Sequence, residues 1–193
     1  MRIMERDNRT HILDQALQLF ATRGYDGVGV QEICGAAGIT KPTLYHYFGS
    51  KRGLLTTLVQ ERTAAFRSAL TEASDYQGDM PRSLERVALA YFDFATREPL
   101  LYRLLIALWF IVPESEAFQV ILAVNEQQQR LVEHMFERAA ADHGNMRGRH
   151  RIYAATFIGT LNTYAGIAIN GFGQLDDQAA YQAVHQFSHG IYS

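Results

Sequence analysis

The residues best suited to chemistry lie in one short run, TKPTLYHYFGSK, from Thr40 to Lys51. Thr40, Lys41 and Thr43 bring two hydroxyls and one cation to the first turn of a short helix, where small side chains let the helix N-terminus approach phosphates or base edges. Pro42 sits in the same turn and presents a rigid apolar surface. Tyr45, His46 and Tyr47 follow, with hydroxyl and imidazole groups that can donate to phosphate and ring edges that can meet thymine methyls. Lys51 adds a second cation just after Gly49 and Ser50. This is the chemistry of contact with a duplex rather than of bond making. No GxSxG, HExxH, phosphate-loop or dinucleotide-binding glycine pattern is present, so the sequence predicts no enzyme and no cofactor. His185 and His189 have the i, i+4 spacing of a metal pair, but no Asp, Glu or Cys nearby completes a site, so no metal is expected. Cys34, the single cysteine, reads as a small core residue.

Helices must position that run. A helix from about Val30 to Ala37, a turn at Gly38, and a second helix of about eight residues starting after Thr40 have the form of a helix-turn-helix. Thr40 is a suitable N-cap, and Pro42 falls where a missing N–H costs little. Ahead of the pair, about Arg9 to Arg23 forms an amphipathic helix with an apolar stripe of Ile12, Leu13, Ala16, Leu17, Leu19 and Phe20. Asn8 or Thr10 can cap it, and Gly24 ends it. After it, Ser50 caps a long fourth helix from about Lys51 to Ala73. SDYQGDM then reads as a loop, and five further helices follow: about Pro81 to Arg97, Leu100 to Ile111, Glu114 to Ala141, Arg149 to Asn170, and one capped by Asp176 or Asp177 that ends near His189. The expected fold class is all-α, with about nine helices. Residues 1–52 form a helix-turn-helix DNA-binding domain, the fourth helix links the parts, and residues 53–193 form a helical bundle.

Residues 12–55 resemble the DNA-binding domain of the tetracycline-repressor (TetR) family. The likeness rests on Ile12, Leu13, Ala16, Leu17, Leu19 and Phe20 in the first helix and on the Gly24-Tyr25 pair. It continues through Ile33 with Gly35-Ala36-Ala37-Gly38, and through Thr40 to Phe48 followed by Ser50-Lys51. The resemblance implies that Leu44 and Phe48 are core residues holding the recognition helix, and that Lys51 grips a phosphate. It implies contact with operator DNA through Thr40, Lys41, Pro42, Thr43, Tyr45, His46, Tyr47 and Lys51. Two departures stand out. Val28-Gly29 replaces the usual hydroxyl before the second helix, which predicts a less firmly started helix. Pro42 replaces a frequent Gly.

The same resemblance implies a C-terminal domain that binds a small-molecule effector and dimerises. Tyr91, Phe94, Tyr102, Trp109, Phe118, Asn125 and Phe157 are the candidate pocket residues, which points to a largely apolar effector. The last two helices resemble the family's homodimer interface. Their small residues permit close approach, and Ile167, Ile169, Tyr181, Val184 and Phe187 are apolar residues in need of cover. The implied activity is that of a ligand-responsive repressor bound to a palindromic operator. The alternative is a helical ligand-binding or assembly protein whose helix-turn-helix has lost its DNA.

Composition permits this reading. The 193 residues are 48% hydrophobic and 20% charged, which suits a packed protein. Net charge is −2, but residues 1–52 carry seven Arg/Lys against five Asp/Glu, so a mildly basic head precedes an acidic body. The N-terminus has no signal-peptide core, and the most apolar stretch, Pro99 to Val112, contains Arg103 and is too short to span a bilayer. The expected location is the cytoplasm.

Overall fold

The computed structural model describes residues 2–190, with side chains from Asn8 onward apart from Asn145. It is 78% helical, and no strand occurs among the described residues. The described residues form ten α-helices in chain order: α1 (Arg2–Arg23), α2 (Val30–Ala37), α3 (Lys41–Phe48), α4 (Lys51–Arg62), α5 (Ala64–Ala73), α6 (Met80–Arg97), α7 (Pro99–Trp109), α8 (Glu116–Ala139), α9 (His150–Ile169) and α10 (Asp177–His189). A 3-10 turn, Gly144–Met146, precedes α9.

Two differences from the sequence reading concern helix bounds. The first helix begins at Arg2 instead of near Arg9, so Asn8 and Thr10 lie inside it and cap nothing. Nothing in the preceding residues is a helix breaker. The tenth helix arises because the fourth helix is interrupted. Thr63 is fully buried and satisfies its hydroxyl by donating to the Val59 carbonyl at 2.7 Å. Its backbone N–H donates to the same carbonyl at 3.1 Å, and the helical run stops at Arg62 and restarts at Ala64.

Residues group into two compact units, 1–63 with 100–122, and 64–99 with 123–193. In the first unit, α1 packs on α2 and α4, and α3 packs on α2 and α4. Its core is Ile12, Leu13, Ala16 and Phe20 from α1, Ile33 and Cys34 from α2, Leu44 from α3, and Leu54, Leu55 and Leu58 from α4. Arg9 donates through both guanidinium nitrogens to Glu61 at 2.8 and 2.6 Å, and Arg62 pairs with Asp14. Both pairs join α1 to α4, and the Arg9–Glu61 pair is a two-pronged fork.

In the second unit, α6 is the central helix and packs on α5, α9 and α10. It buries Leu84, Val87, Ala88, Tyr91, Phe92 and Ala95. Asp79 caps it by accepting from the Arg82 N–H at 3.0 Å. Asp176, rather than Asp177, caps α10, accepting from the Ala179 N–H at 2.8 Å. The α5–α6 connection is pinned by Arg138, which donates to Asp75 and to the Tyr76 carbonyl at 2.5 and 2.8 Å.

Candidate functional site

The helix-turn-helix is held by short-range devices. Gly38 ends α2 with φ +64°, the left-handed region that glycine enters without a Cβ clash. Thr40 caps α3: its hydroxyl accepts from the Thr43 N–H at 3.4 Å and lies 2.9 Å from the Thr43 hydroxyl. Ser50 caps α4, accepting from the Gly53 N–H at 2.9 Å. Gly53 is required by space, because a Cβ there would sit 1.9 Å from the Phe48 carbonyl oxygen. The end of α3 therefore rests directly on the first turn of α4.

The expected weak start of α2 is not what the structure has. Val28 is buried, and Glu32 reaches back to accept from the Gly29 N–H at 2.8 Å while pairing with Arg23 at 2.6 Å. This is the glutamate half of a capping box, which fastens the N-cap residue although no hydroxyl accepts from the first turn. The Gly29 N–H first, and Arg23 next, hold the Glu32 carboxyl below its usual range.

The burial of α3 separates scaffold from surface. Leu44 and Phe48 are buried, while Lys41, Pro42, Tyr45 and His46 are exposed and Thr43 and Tyr47 half-buried. Tyr45 is 45% exposed, too open for a packing residue. Tyr47 packs its ring against His46 and Phe48, with centroids at 5.5 and 5.9 Å. The outward row is thus Thr40, Lys41, Pro42, Tyr45 and His46, with Thr43 and Tyr47 at its edges.

Lys51 is half-buried, with its ammonium 4.0 Å from the centre of the Tyr25 ring. That is cation–π geometry. Burial lowers the Lys51 pKa, and the carboxylates of Asp26, Glu116 and Glu32 oppose the shift. Tyr25 is buried and donates its hydroxyl to Glu116, at the start of α8, at 3.1 Å. Burial first, and then this carboxylate, push the phenol well above its ordinary pKa. Sequence reasoning missed this arrangement. The partners Tyr25 and Glu116 lie 91 positions apart, and no local pattern announces such a pair.

The seven candidate pocket residues divide between the units. In the first, Tyr102 is buried, and Trp109, 42% exposed, stacks on Phe118 with centroids 5.5 Å apart. In the second, Tyr91 donates to buried Gln128 at 2.9 Å. Tyr91 and Phe94 both pack on Phe66, at 5.0 and 4.5 Å. Phe157 is fully buried against Phe187 at 4.9 Å, and Asn125 is half-buried.

A pocket of about 510 Å³ lies elsewhere in the second unit, lined by α5, α8 and the turn after α5. Thr71, Asp75, Arg130, His134, Met135 and Arg138 are among its residues, and none of the seven is. The i, i+4, i+8 spacing of Arg130, His134 and Arg138 was the signal for it in the sequence.

The helix α9 presents an unusual surface. It is long and apolar, yet only 22% of an 18-residue stretch of it is buried. By length and composition α9 is long and apolar enough to cross a membrane. Ile152, Ala155, Thr156, Gly159, Thr163 and Ile167 share its exposed side. Phe172 and Tyr181 are also exposed, while Ile169, Val184 and Phe187 are half-buried.

Residues 12–58 match the family model described as bacterial regulatory proteins of the tetR family. The chain is 26% identical over 189 residues to the HTH-type transcriptional activator FasR of Mycolicibacterium smegmatis, covering 98% of this chain and 84% of FasR. It is 37% identical over 68 residues to the HTH-type transcriptional repressor NemR of Escherichia coli, covering 35% of this chain and 34% of NemR. The structure of FadR from Bacillus subtilis in complex with stearoyl-CoA superposes with a TM-score of 0.77 at 19% identity, covering 95% of this chain and 99% of that one.

Proposed function

We propose that this chain, a TetR-family transcriptional regulator and no enzyme, is a cytoplasmic ligand-responsive repressor that binds a palindromic operator as a homodimer and leaves it when a small, largely apolar effector binds. The observation that carries the DNA reading is the division of α3 into a buried side, Leu44 and Phe48, and an outward row of hydrogen-bonding side chains. The caps at Thr40 and Ser50 and the contact at Gly53 fix that row; the Thr40 hydroxyl takes part in its own cap, while the side chains of Lys41, Tyr45 and His46 take no part in these bonds. Thr40, Lys41, Pro42, Thr43, Tyr45, His46, Tyr47 and Lys51 are the proposed DNA contacts. Lys51 would leave the Tyr25 ring for a phosphate or grip the phosphate from there.

The exposed apolar side of α9, continued by Phe172 and Tyr181, supports dimerisation through α9 and α10. Large exposed apolar patches on soluble chains mark interfaces. Small side chains at Ala155 and Gly159 suit close helix packing, as in four-helix interfaces. A two-fold pair sets its recognition helices against half-sites about one helical turn, roughly 34–36 Å, apart.

For the effector, Tyr91, Phe94, Tyr102, Trp109, Phe118, Asn125 and Phe157 remain the proposed contacts. The stearoyl-CoA held by the Bacillus subtilis FadR supports an apolar character. DNA favours one spacing of the recognition helices and effector another, with the change carried by the fourth helix, α4 and α5. Activation is the second reading, favoured by the FasR match over nearly the whole chain.

Footprinting and gel shifts on the chain's own promoter test the proposal. Binding should protect two half-sites and weaken with salt at a log–log slope of about −0.9 per phosphate neutralised. Absent or salt-independent binding overturns it, and reporter transcription decides the sign. Spin labels on α3 of the two subunits should change separation with effector.

A further inference from the structure

We propose that the pocket lined by α5 and α8 seats an anionic group, a phosphate or a carboxylate, that forms the polar end of the effector. The inference deepens the effector reading above and rests on it. It also changes that reading's chemistry, because the aromatic candidates alone suggest a ligand without charge.

Three nitrogen-bearing side chains carry the argument. Arg130, His134 and Arg138 are spaced by four on α8, so they form one stripe along a helix face. All three line the pocket of about 510 Å³, a volume within the usual small-molecule range of roughly 300–1,000 Å³. Leu131 and fully buried Met135 lie between them and supply an apolar floor.

The two arginines have different duties. Arg138 is held by Asp75 and the Tyr76 carbonyl, so its guanidinium is already oriented. Asp75 is the one carboxylate in the lining. Arg138 first, and the Gln77 amide next, keep it ionised and below its usual pKa, so its charge is largely matched. Arg130 is the recruitable group. Its partner is Glu126, one turn back at 2.7 Å, and both side chains are more than half exposed. An exposed pair one helical turn apart holds only weakly, so an arriving anion can displace it. His134 can donate to an anion through a ring N–H. Thr71 and Ser74 commit their hydroxyl protons to helix carbonyls, so the guanidinium and imidazole groups are the donors that matter.

Among the lining residues Arg130, Arg138 and Asp75 sum to +1, a charge that Glu126 offsets until Arg130 leaves it for the anion. Planar guanidinium groups suit both carboxylate and phosphate. An anion bound here, with its chain leaving across Leu131 and Met135, would be amphipathic.

The test is isothermal titration of the full chain with inorganic pyrophosphate, dodecanoate and dodecanol. The expected result is binding of at least one of the two anions, weakened tenfold or more in the Arg130→Gln/His134→Gln variant. Binding should be unchanged in Lys51→Ala/Arg52→Ala, which removes cations of the DNA-binding unit. Which anion binds distinguishes phosphate from carboxylate. The proposal is overturned if dodecanol binds as tightly as dodecanoate while pyrophosphate gives no heat. It is also overturned if Arg130→Gln/His134→Gln binds both anions like the wild type, or if the Lys51/Arg52 variant alone abolishes binding. Operator affinity measured in parallel separates this idea from the release mechanism. Anion binding that needs Arg130 and His134 but leaves operator affinity unchanged sinks release and keeps the pocket. Release by an apolar compound, with anion binding indifferent to these residues, sinks the pocket and keeps release.

Discussion

The helices α3 and α9 both leave large side chains in solvent, but of opposite character. The eight residues of α3 turn Leu44 and Phe48 inward and show Lys41, Tyr45 and His46. The twenty residues of α9 bury only Ala154, Phe157, Leu161 and Ala165 and show Ile152 and Ile167 beside small residues. A surface of donors and cations loses little in water and gains against phosphate. A surface of isoleucine, alanine and glycine gains only when another apolar surface removes it from water. Under the function proposed above, the contrast gives the two helices different partners, a duplex for α3 and a second copy of the chain for α9.

Four changes probe that contrast, from the largest expected effect down. Ile152→Glu with Ile167→Glu places charges on the open side of α9. Burying unpaired charge at an interface costs about 3–5 kcal/mol, so light scattering should find monomers at concentrations where the wild type is dimeric. Helical content should be unchanged, and operator binding should fall with the dimer. A double variant that still associates would end the assignment of α9 to self-association.

Gly53→Ala acts on the other helix. Its Cβ would stand 1.9 Å from the Phe48 carbonyl oxygen, and backbone cannot rotate away as a side chain can. The expected loss is about 3 kcal/mol, seen as a melting temperature lower by roughly 6–12 °C with operator binding lost and dimerisation kept. Normal operator affinity in this variant would show that the fixed seating of α3 is unimportant.

Lys51→Ala should weaken operator binding about tenfold and reduce the salt slope by about 0.9, the signature of one lost phosphate contact. It should leave dimerisation alone. An unchanged slope would confine Lys51 to its packing over Tyr25.

The smallest effect is the acid limb of stability. Glu32 has a lowered pKa in the folded chain, through the Gly29 N–H and Arg23. Its contribution is therefore present above the unfolded value of about 4.3 and fades as pH falls through the lower folded value. Glu32→Gln should flatten the wild type's loss of melting temperature between about pH 5 and pH 3. Equal slopes in the two proteins would remove Glu32 from the account of how α2 begins.

What the amino-acid order determined by itself was local. The stripe at Ile12, Leu13, Ala16 and Phe20, the stop at Gly38, the caps at Thr40 and Ser50 and the inward Leu44 and Phe48 all act within a few residues of one another, so spacing and side-chain type reveal them. The outward row on α3 was legible for the same reason. What only the tertiary structure decided depends on neighbours far away in the chain. The fourth helix is interrupted at fully buried Thr63, and the sequence around it announces neither the break nor the burial. Tyr25 meets Glu116, and Arg138 meets Asp75, through chain packing that no short window encodes. The spacing of Arg130, His134 and Arg138 was visible, but a stripe becomes a pocket wall only when α5 lies opposite it. The uncovered side of α9 likewise emerged only when the rest of the chain had packed and left it bare.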